Sequence, residues 1–208
     1  MSLRSETDPV ASPSLWWDGL VRGDAHPPLE TDATAQYAIV GGGYTGLWTA
    51  YFLKLIQPDA DIVLVEAQRI GHGASGRNGG WLMGALEGCA AFVDDAGVLP
   101  IGARQQLTQL VSRAGDVLEK EGIDCDFYHG GCVMAAARHD IQVGRARKML
   151  DDFWRLGFTE DDYHWLTPQE LGERIRVSNP GGAVFTPHVA RIHPAKLVTG
   201  LAAFVEAL

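Results

Sequence analysis

The strongest constraint on this chain is a junction of two patterns. Gln36-Tyr37-Ala38-Ile39-Val40 is a short apolar run of buried-strand type, and it ends directly in three glycines. From Tyr44 to Ile56 the apolar residues have helical length and cover more than one face, as expected of a helix buried against a sheet. Pro58 and Asp59 close that segment, and Asp61-Ile62-Val63-Leu64-Val65-Glu66 supplies a second strand. The spacing predicts a βαβ unit, two parallel strands joined by a crossover helix.

The turn inside this unit, Gly41-Gly42-Gly43-Tyr44-Thr45-Gly46, satisfies G-x-G-x-x-G. Gly41 allows the sharp turn, Gly43 lets a pyrophosphate approach the backbone, and Gly46 lets helix and strand pack closely. A phosphate would then meet free N–H groups at the amino end of the helix. Glu66 stands 20 residues after Gly46, at the end of the second strand, where a carboxylate accepts hydrogen bonds from ribose hydroxyls and disfavours a 2′-phosphate.

A second loop, Ile70 to Gly80, has five glycines in eleven residues. That density argues against core packing and for close backbone approach to an extended ligand, with Ser75, Arg77 and Asn78 offering hydroxyl, guanidinium and amide groups. His72, alone in this loop, reads as an ordinary hydrogen-bonded histidine.

The remaining chain divides by composition. Residues 1–34 read as an extended leader in which Trp16 and Trp17 dock on the main body, because two adjacent exposed indoles would be an apolar liability. Residues 35–90 form the nucleotide-binding core, to which 181–208 can return. Residues 91–180 hold helical segments and the start of a second region: a helix from Pro100 to near Gly122, a strand or hairpin edge over Phe127 to Ala137, a helix over Ile141 to Leu156, and a short helix from the capping box Thr167-Pro168-Gln169-Glu170 to Ile175. A strand from Ala183 to Thr186 and a helix opened by His193-Pro194 complete the pattern. The fold class is α/β, a Rossmann-like nucleotide-binding domain with part of a second, α+β region.

Composition narrows the function. With 26 acidic and 17 basic side chains the formal charge is −9, and no basic patch offsets it, so phosphate-backbone binding is excluded as a function class. Cys89, Cys125 and Cys132 are widely spaced and make no zinc pattern; they read as reduced, packed thiols, and no metal site is expected. The sequence has no apolar run of membrane-spanning or signal-peptide type, so a cytoplasmic protein without a membrane span is expected. Oligomeric state is left open.

IVGGGYTGLWTAYFL and VLVEAQRIGHGASGRNGGW together resemble the FAD-dependent amine and amino-acid oxidases of the D-amino-acid oxidase type, in particular the gamma-glutamylputrescine oxidase-like branch. The leader SLWWD and the late RIHPAKLVTGLA also look like segments of that branch. The resemblance implies that the βαβ unit binds the ADP half of FAD and that the second loop passes beside pyrophosphate and flavin. The implied cofactor contacts are Gly41, Gly43, Tyr44, Thr45, Gly46, Glu66, Ala67, Arg69, Ser75, Gly76, Arg77, Asn78 and Gly79. Dimethylglycine dehydrogenases of this family attach flavin through a histidine where Asn78 stands here, so non-covalent FAD is implied.

The implied reaction is oxidation of the C–N bond of a small amine or amino acid: flavin takes a hydride equivalent, the imine hydrolyses, and oxygen yields hydrogen peroxide. The chemistry belongs to the cofactor, so no acid or base here needs to be catalytic. His129, His164, His188 and His193 are scattered, and Tyr128 reads as a packing residue of an aromatic strand. Family members are much longer, and the chain reads as an amino-terminal fragment of one. Two alternatives stay open at this point: an NAD-dependent dehydrogenase using the same glycine turn and Glu66, and a non-catalytic nucleotide-binding fragment.

Overall fold

A computed structural model describes residues 14–20, 26–85 and 88–208. The chain divides into two compact units, one of residues 1–80, 118–127 and 192–208, the other of 81–117 and 128–191. The first unit's long stretch ends at Gly80, and its last segment begins at Ile192.

In the first unit β1 (Tyr37–Val40) and β2 (Ile62–Val65) pair in parallel, with Tyr37 opposite Ile62 and Val40 opposite Val65. They are joined through α1 (Tyr44–Ile56), which packs against α5 (Pro194–Glu206). Leu47, Ala50 and Tyr51 of α1 and Val198, Leu201 and Ala202 of α5 are buried. Tyr51 is buried, and its hydroxyl donates to Glu121 Oε1 at 2.8 Å. Burial and the neighbouring carboxylate push that phenol up to about 12. His193 opens α5 as expected, its Nδ1 accepting from Lys196 N–H, with Pro194 in the first helical position.

Leu15–Trp17 forms one 3-10 turn, closed by Trp17 N–H donating to Ser14 O at 3.0 Å. The indoles dock as the sequence argument requires. The leader's residues 1–13 and 21–25 lie outside the described residues.

The second unit contains two antiparallel sheets. β3 (Trp81–Met83) pairs with β7 (Val189–Arg191), and the three-stranded sheet has the order β4 (Cys132–Ala137), β6 (Pro180–Thr186), β5 (His164–Leu166). α2 (Ile101–Lys120) contributes Val111 to the buried set, α3 (Asp140–Arg155) packs on β4 and β6, and α4 (Pro168–Arg174) packs on β6 and β5. The core of this unit gathers Leu99, Leu150, Phe158, Tyr163 and Val184, with Phe153 stacked on Tyr163 at 3.9 Å. The capping box forms: Glu170 N–H donates to Thr167 Oγ1, and Thr167 N–H donates to Glu170 Oε2 at 2.7 Å.

One expectation for this unit is overturned. Tyr128 is 63% exposed and lies under the Arg191 guanidinium, because only Cys132–Ala137 of the expected Phe127–Ala137 strand enters the sheet, while Tyr128 makes an isolated bridge to Arg191.

Candidate functional site: a double glycine corner

All the candidate contacts lie in the first unit, at the carboxyl ends of β1 and β2. Gly41 has φ +108, a conformation that glycine adopts freely, and its N–H donates to Val65 O at 2.7 Å. Gly42 N–H donates to Glu66 Oε2 at 2.8 Å, while Glu66 Oε1 accepts from Gln68 N–H at 3.0 Å. The carboxylate is therefore held against the glycine corner, half-buried rather than extended into solvent. Gly43 is the N-cap of α1 in extended backbone. A Cβ on Gly46 would overlap the Gly41 carbonyl oxygen and crowd Ile39 Cγ2, so its lack of a side chain brings helix and strand together.

The second loop reaches this corner. Gly71 N–H donates to Gly42 O at 3.0 Å, and Ser75 Oγ accepts from Tyr44 N–H at 2.9 Å. A Cβ on Gly43 would come 2.9 Å from Ser75 Oγ. Ser75 thus occupies one of the N–H groups that a helix leaves without an internal partner, and its own hydroxyl hydrogen remains available to an anion. Thr45 is exposed in the same turn. The Tyr44 hydroxyl donates to Pro194 O at 3.0 Å, and burial pushes it up to about 12 against the opposing influence of Asn78.

The glycines of this loop separate into two kinds, which corrects the expectation that none serves packing. Gly71, Gly76 and Gly80 are buried: a Cβ on Gly71 would come 2.5 Å from Val198 Cγ1, one on Gly76 2.7 Å from Trp17 Cζ2, and one on Gly80 2.7 Å from Ile192 O. Gly73 and Gly79 are exposed and face open space. At these two positions the loop backbone is left uncovered.

The polar side chains of the loop are largely engaged within it. Asn78 Nδ2 donates to Ala74 O and Ser75 O, and its Oδ1 accepts from Gly80 N–H at 2.9 Å. The Arg77 guanidinium donates to His72 O and Gly73 O. Ala67 and Arg69 follow Glu66 in exposed positions. Against expectation, His72 Nδ1 is a buried polar atom that no group among the described residues satisfies. Sequence reasoning also missed what Trp16 and Trp17 touch, although the motif that holds them was visible.

This corner fits a dinucleotide: a glycine cradle that side chains would fill, a hydroxyl at the helix amino end, an oriented carboxylate, and an orphaned ring nitrogen in the adjoining loop. Among the described residues no group of three or more His, Cys, Asp and Glu side chains could hold a metal ion, and no helix is long and apolar enough to cross a membrane.

The chain is 29% identical over 176 residues to the gamma-glutamylputrescine oxidoreductase of Escherichia coli, a match covering 83% of this chain and 39% of that protein. Its fold is similar to glycine oxidase from Bacillus cereus, with TM-score 0.63 and 23% identity, covering 83% of this chain and 44% of the other. It is similar also to L-amino acid deaminase from Proteus vulgaris, with TM-score 0.64 and 19% identity, covering 96% and 48%. The chain spans less than half the length of each of these proteins. A family model described as DAO, FAD dependent oxidoreductase, matches residues 36–208, and the chain belongs to that family.

Proposed function

We propose that this chain carries the FAD-binding part of an oxidoreductase that oxidises the C–N bond of a small amine or amino acid. The observation that carries the reading is the double corner itself, Glu66 held on Gly42 N–H and Ser75 on Tyr44 N–H, within a chain of the FAD-dependent family. Bound FAD would supply the hydride acceptor, with net conversion of the amine to an imine that water hydrolyses and of oxygen to hydrogen peroxide. The first unit is the cofactor domain, and the second begins the substrate-facing region.

The residues of the chain divide the binding task. The N–H groups at the amino end of α1, with the Ser75 hydroxyl, meet the diphosphate. Glu66 meets the ribose hydroxyls of the adenosine half. Gly73 and Gly79 give the ligand access to the loop backbone, and Arg77 adds positive charge at an exposed site. Binding is non-covalent: Asn78 has an amide, which is no nucleophile, and that amide is tied to the backbone of its own loop.

The test is the visible absorbance of the purified protein, followed by titration of stripped protein with FAD. A flavin spectrum, with the flavin released intact on denaturation, supports the reading. Colourless protein that takes up no added FAD refutes it.

A further inference from the structure

The Trp16–Trp17 pair touches the second glycine loop at both of its ends, and it does so through contacts of different kind. Trp16 Nε1–H donates to Asn78 O at 2.7 Å, and the far edge of the same ring lies where a side chain on Gly80 would be, 3.2 Å from that Cβ position. The ring is held in place by an edge contact with His193, centroids 5.1 Å apart. Trp17 Cζ2 fills the space beside Gly71 and Gly76, at 3.3 and 2.7 Å from their Cβ positions. One 3-10 turn aims both indoles at the loop.

A loop with five glycines has much backbone entropy to lose, so it orders only where specific groups fix it. Among the described residues its hydrogen bonds to the rest of the unit include Gly71 N–H to Gly42 O, Tyr44 N–H to Ser75 Oγ, and Ile192 N–H to Gly80 O. Trp16 adds a side-chain donor at Asn78, next to the open Gly79.

We propose that Trp16 and Trp17 are positioning residues for the cofactor: Trp16 seats the Asn78–Gly80 end of the loop and Trp17 the Gly71–Gly76 end. Neither indole needs to touch the ligand. This inference rests on the reading of the loop as part of the FAD site. A loop that is already ordered lowers the ordering cost of binding, so loosening it weakens affinity without removing any ligand contact.

The test compares Trp16→Phe, which keeps a ring over Gly80 and removes the N–H donor, with the wild-type protein. Three readings are taken: FAD affinity, the visible circular dichroism of the bound flavin at saturation, and hydrogen exchange of the 71–80 segment without FAD. Loss of one net hydrogen bond predicts about fivefold weaker FAD binding, an altered flavin dichroism, and faster exchange confined to the loop. Trp17→Phe is the second variant and is expected to speed exchange over residues 71–76. Leu15→Ser, at a position 76% exposed on the same turn, is expected to leave all three readings at wild-type values. Equal affinity, dichroism and loop exchange in Trp16→Phe and wild type overturn the inference, as does a Leu15→Ser effect as large as that of Trp16→Phe. If the wild-type protein takes up no FAD, the functional reading fails by itself, and the exchange comparison still decides whether the indoles order the loop.

Discussion

The Gly46→Ala substitution tests the corner most directly. In an unconstrained helix the exchange would stabilise, by about 1 kcal/mol. Here the new methyl overlaps the Gly41 carbonyl oxygen and lies 3.2 Å from Ile39 Cγ2. The obstacle is backbone, fixed by the positive φ of Gly41 and by its bond to Val65 O, so it cannot swing aside as a side chain would. Relieving the overlap requires α1 to withdraw from the turn by roughly 1 Å, given ordinary carbon–oxygen contact distances. Overpacking of this sort costs about 1–3 kcal/mol, which set against the helix gain leaves a net loss centred on about 1 kcal/mol. For a chain of this size each kilocalorie lowers the melting temperature by about 2–4 °C. Gly144→Ala in α3 is the internal control: position 144 is exposed and a Cβ there meets nothing within 4 Å, so stability should rise by about 0.5–1 kcal/mol. Thermal melts of both variants, with FAD titrations alongside, read the outcome. Gly46→Ala is expected to melt lower and to bind FAD at least about tenfold more weakly, since the same withdrawal displaces the N–H groups of α1. A Gly46→Ala protein that melts at or above wild type and keeps its FAD affinity would refute the close-packing account.

Glu66→Gln keeps an acceptor for Gly42 N–H and removes the charge; FAD binding should weaken about tenfold while the melting temperature moves little, as a titration and a melt would show. Gly79→Ala, in open space, should leave the ligand-free melting temperature unchanged and weaken FAD binding, whereas Gly76→Ala, blocked by Trp17 and by the Gly71 carbonyl, should lower the melting temperature with or without FAD. Burial pushes the Asp162 carboxyl up, but the bonds from Thr159 N–H, His188 and the Thr159 hydroxyl outweigh it and hold the group below its ordinary 3.8. Its contribution is therefore present above pH 3.8 and lost as pH falls through the lowered value, so Asp162→Asn should cost about 1 kcal/mol at pH 7 and progressively less in acid; a gap that does not depend on pH would contradict this. Burial, followed by Asp124 and Asp126, pushes the Cys125 thiol up to about 11, so about one in a thousand is thiolate at pH 8 and alkylation of the folded protein should be slow there.

What the sequence revealed follows from how many residues carried each signal. α1 occupies the expected Tyr44–Ile56, and α3, α4 and α5 fall within a few residues of their expected bounds, because each had several turns of periodicity or a capping residue. The three-residue strands β3, β5 and β7 went unseen: three residues display no period of two, and each is specified by its partner strand and not by its own composition. The same limit applies to the site. The position of Glu66 could be inferred from spacing, whereas the engagement of Asn78 with its own loop could not, since an amide offers the same donors and acceptor to a backbone as to a ligand.

The second loop shows why a glycine motif alone misjudges purpose. Gly41 and Gly71 both have positive φ, +108 and +71, and five residues after each stands a glycine, Gly46 and Gly76, whose absent Cβ leaves room for the earlier carbonyl oxygen. The first pair opens the thirteen residues of α1, and the second opens only the single turn Ala74–Gly76. The two corners are the same local construction, and they are tied together where Gly71 N–H meets Gly42 O and Ser75 Oγ meets Tyr44 N–H. The amino end of α1 is therefore shaped by two loops thirty residues apart in sequence, and damage to either should reach it by the same route. Three of the five glycines in the second loop permit that construction by being small where chain meets chain, and the two exposed ones leave its outer side bare. Close packing and open backbone alternate along one glycine-rich segment, a division visible only when the neighbours of each residue are known.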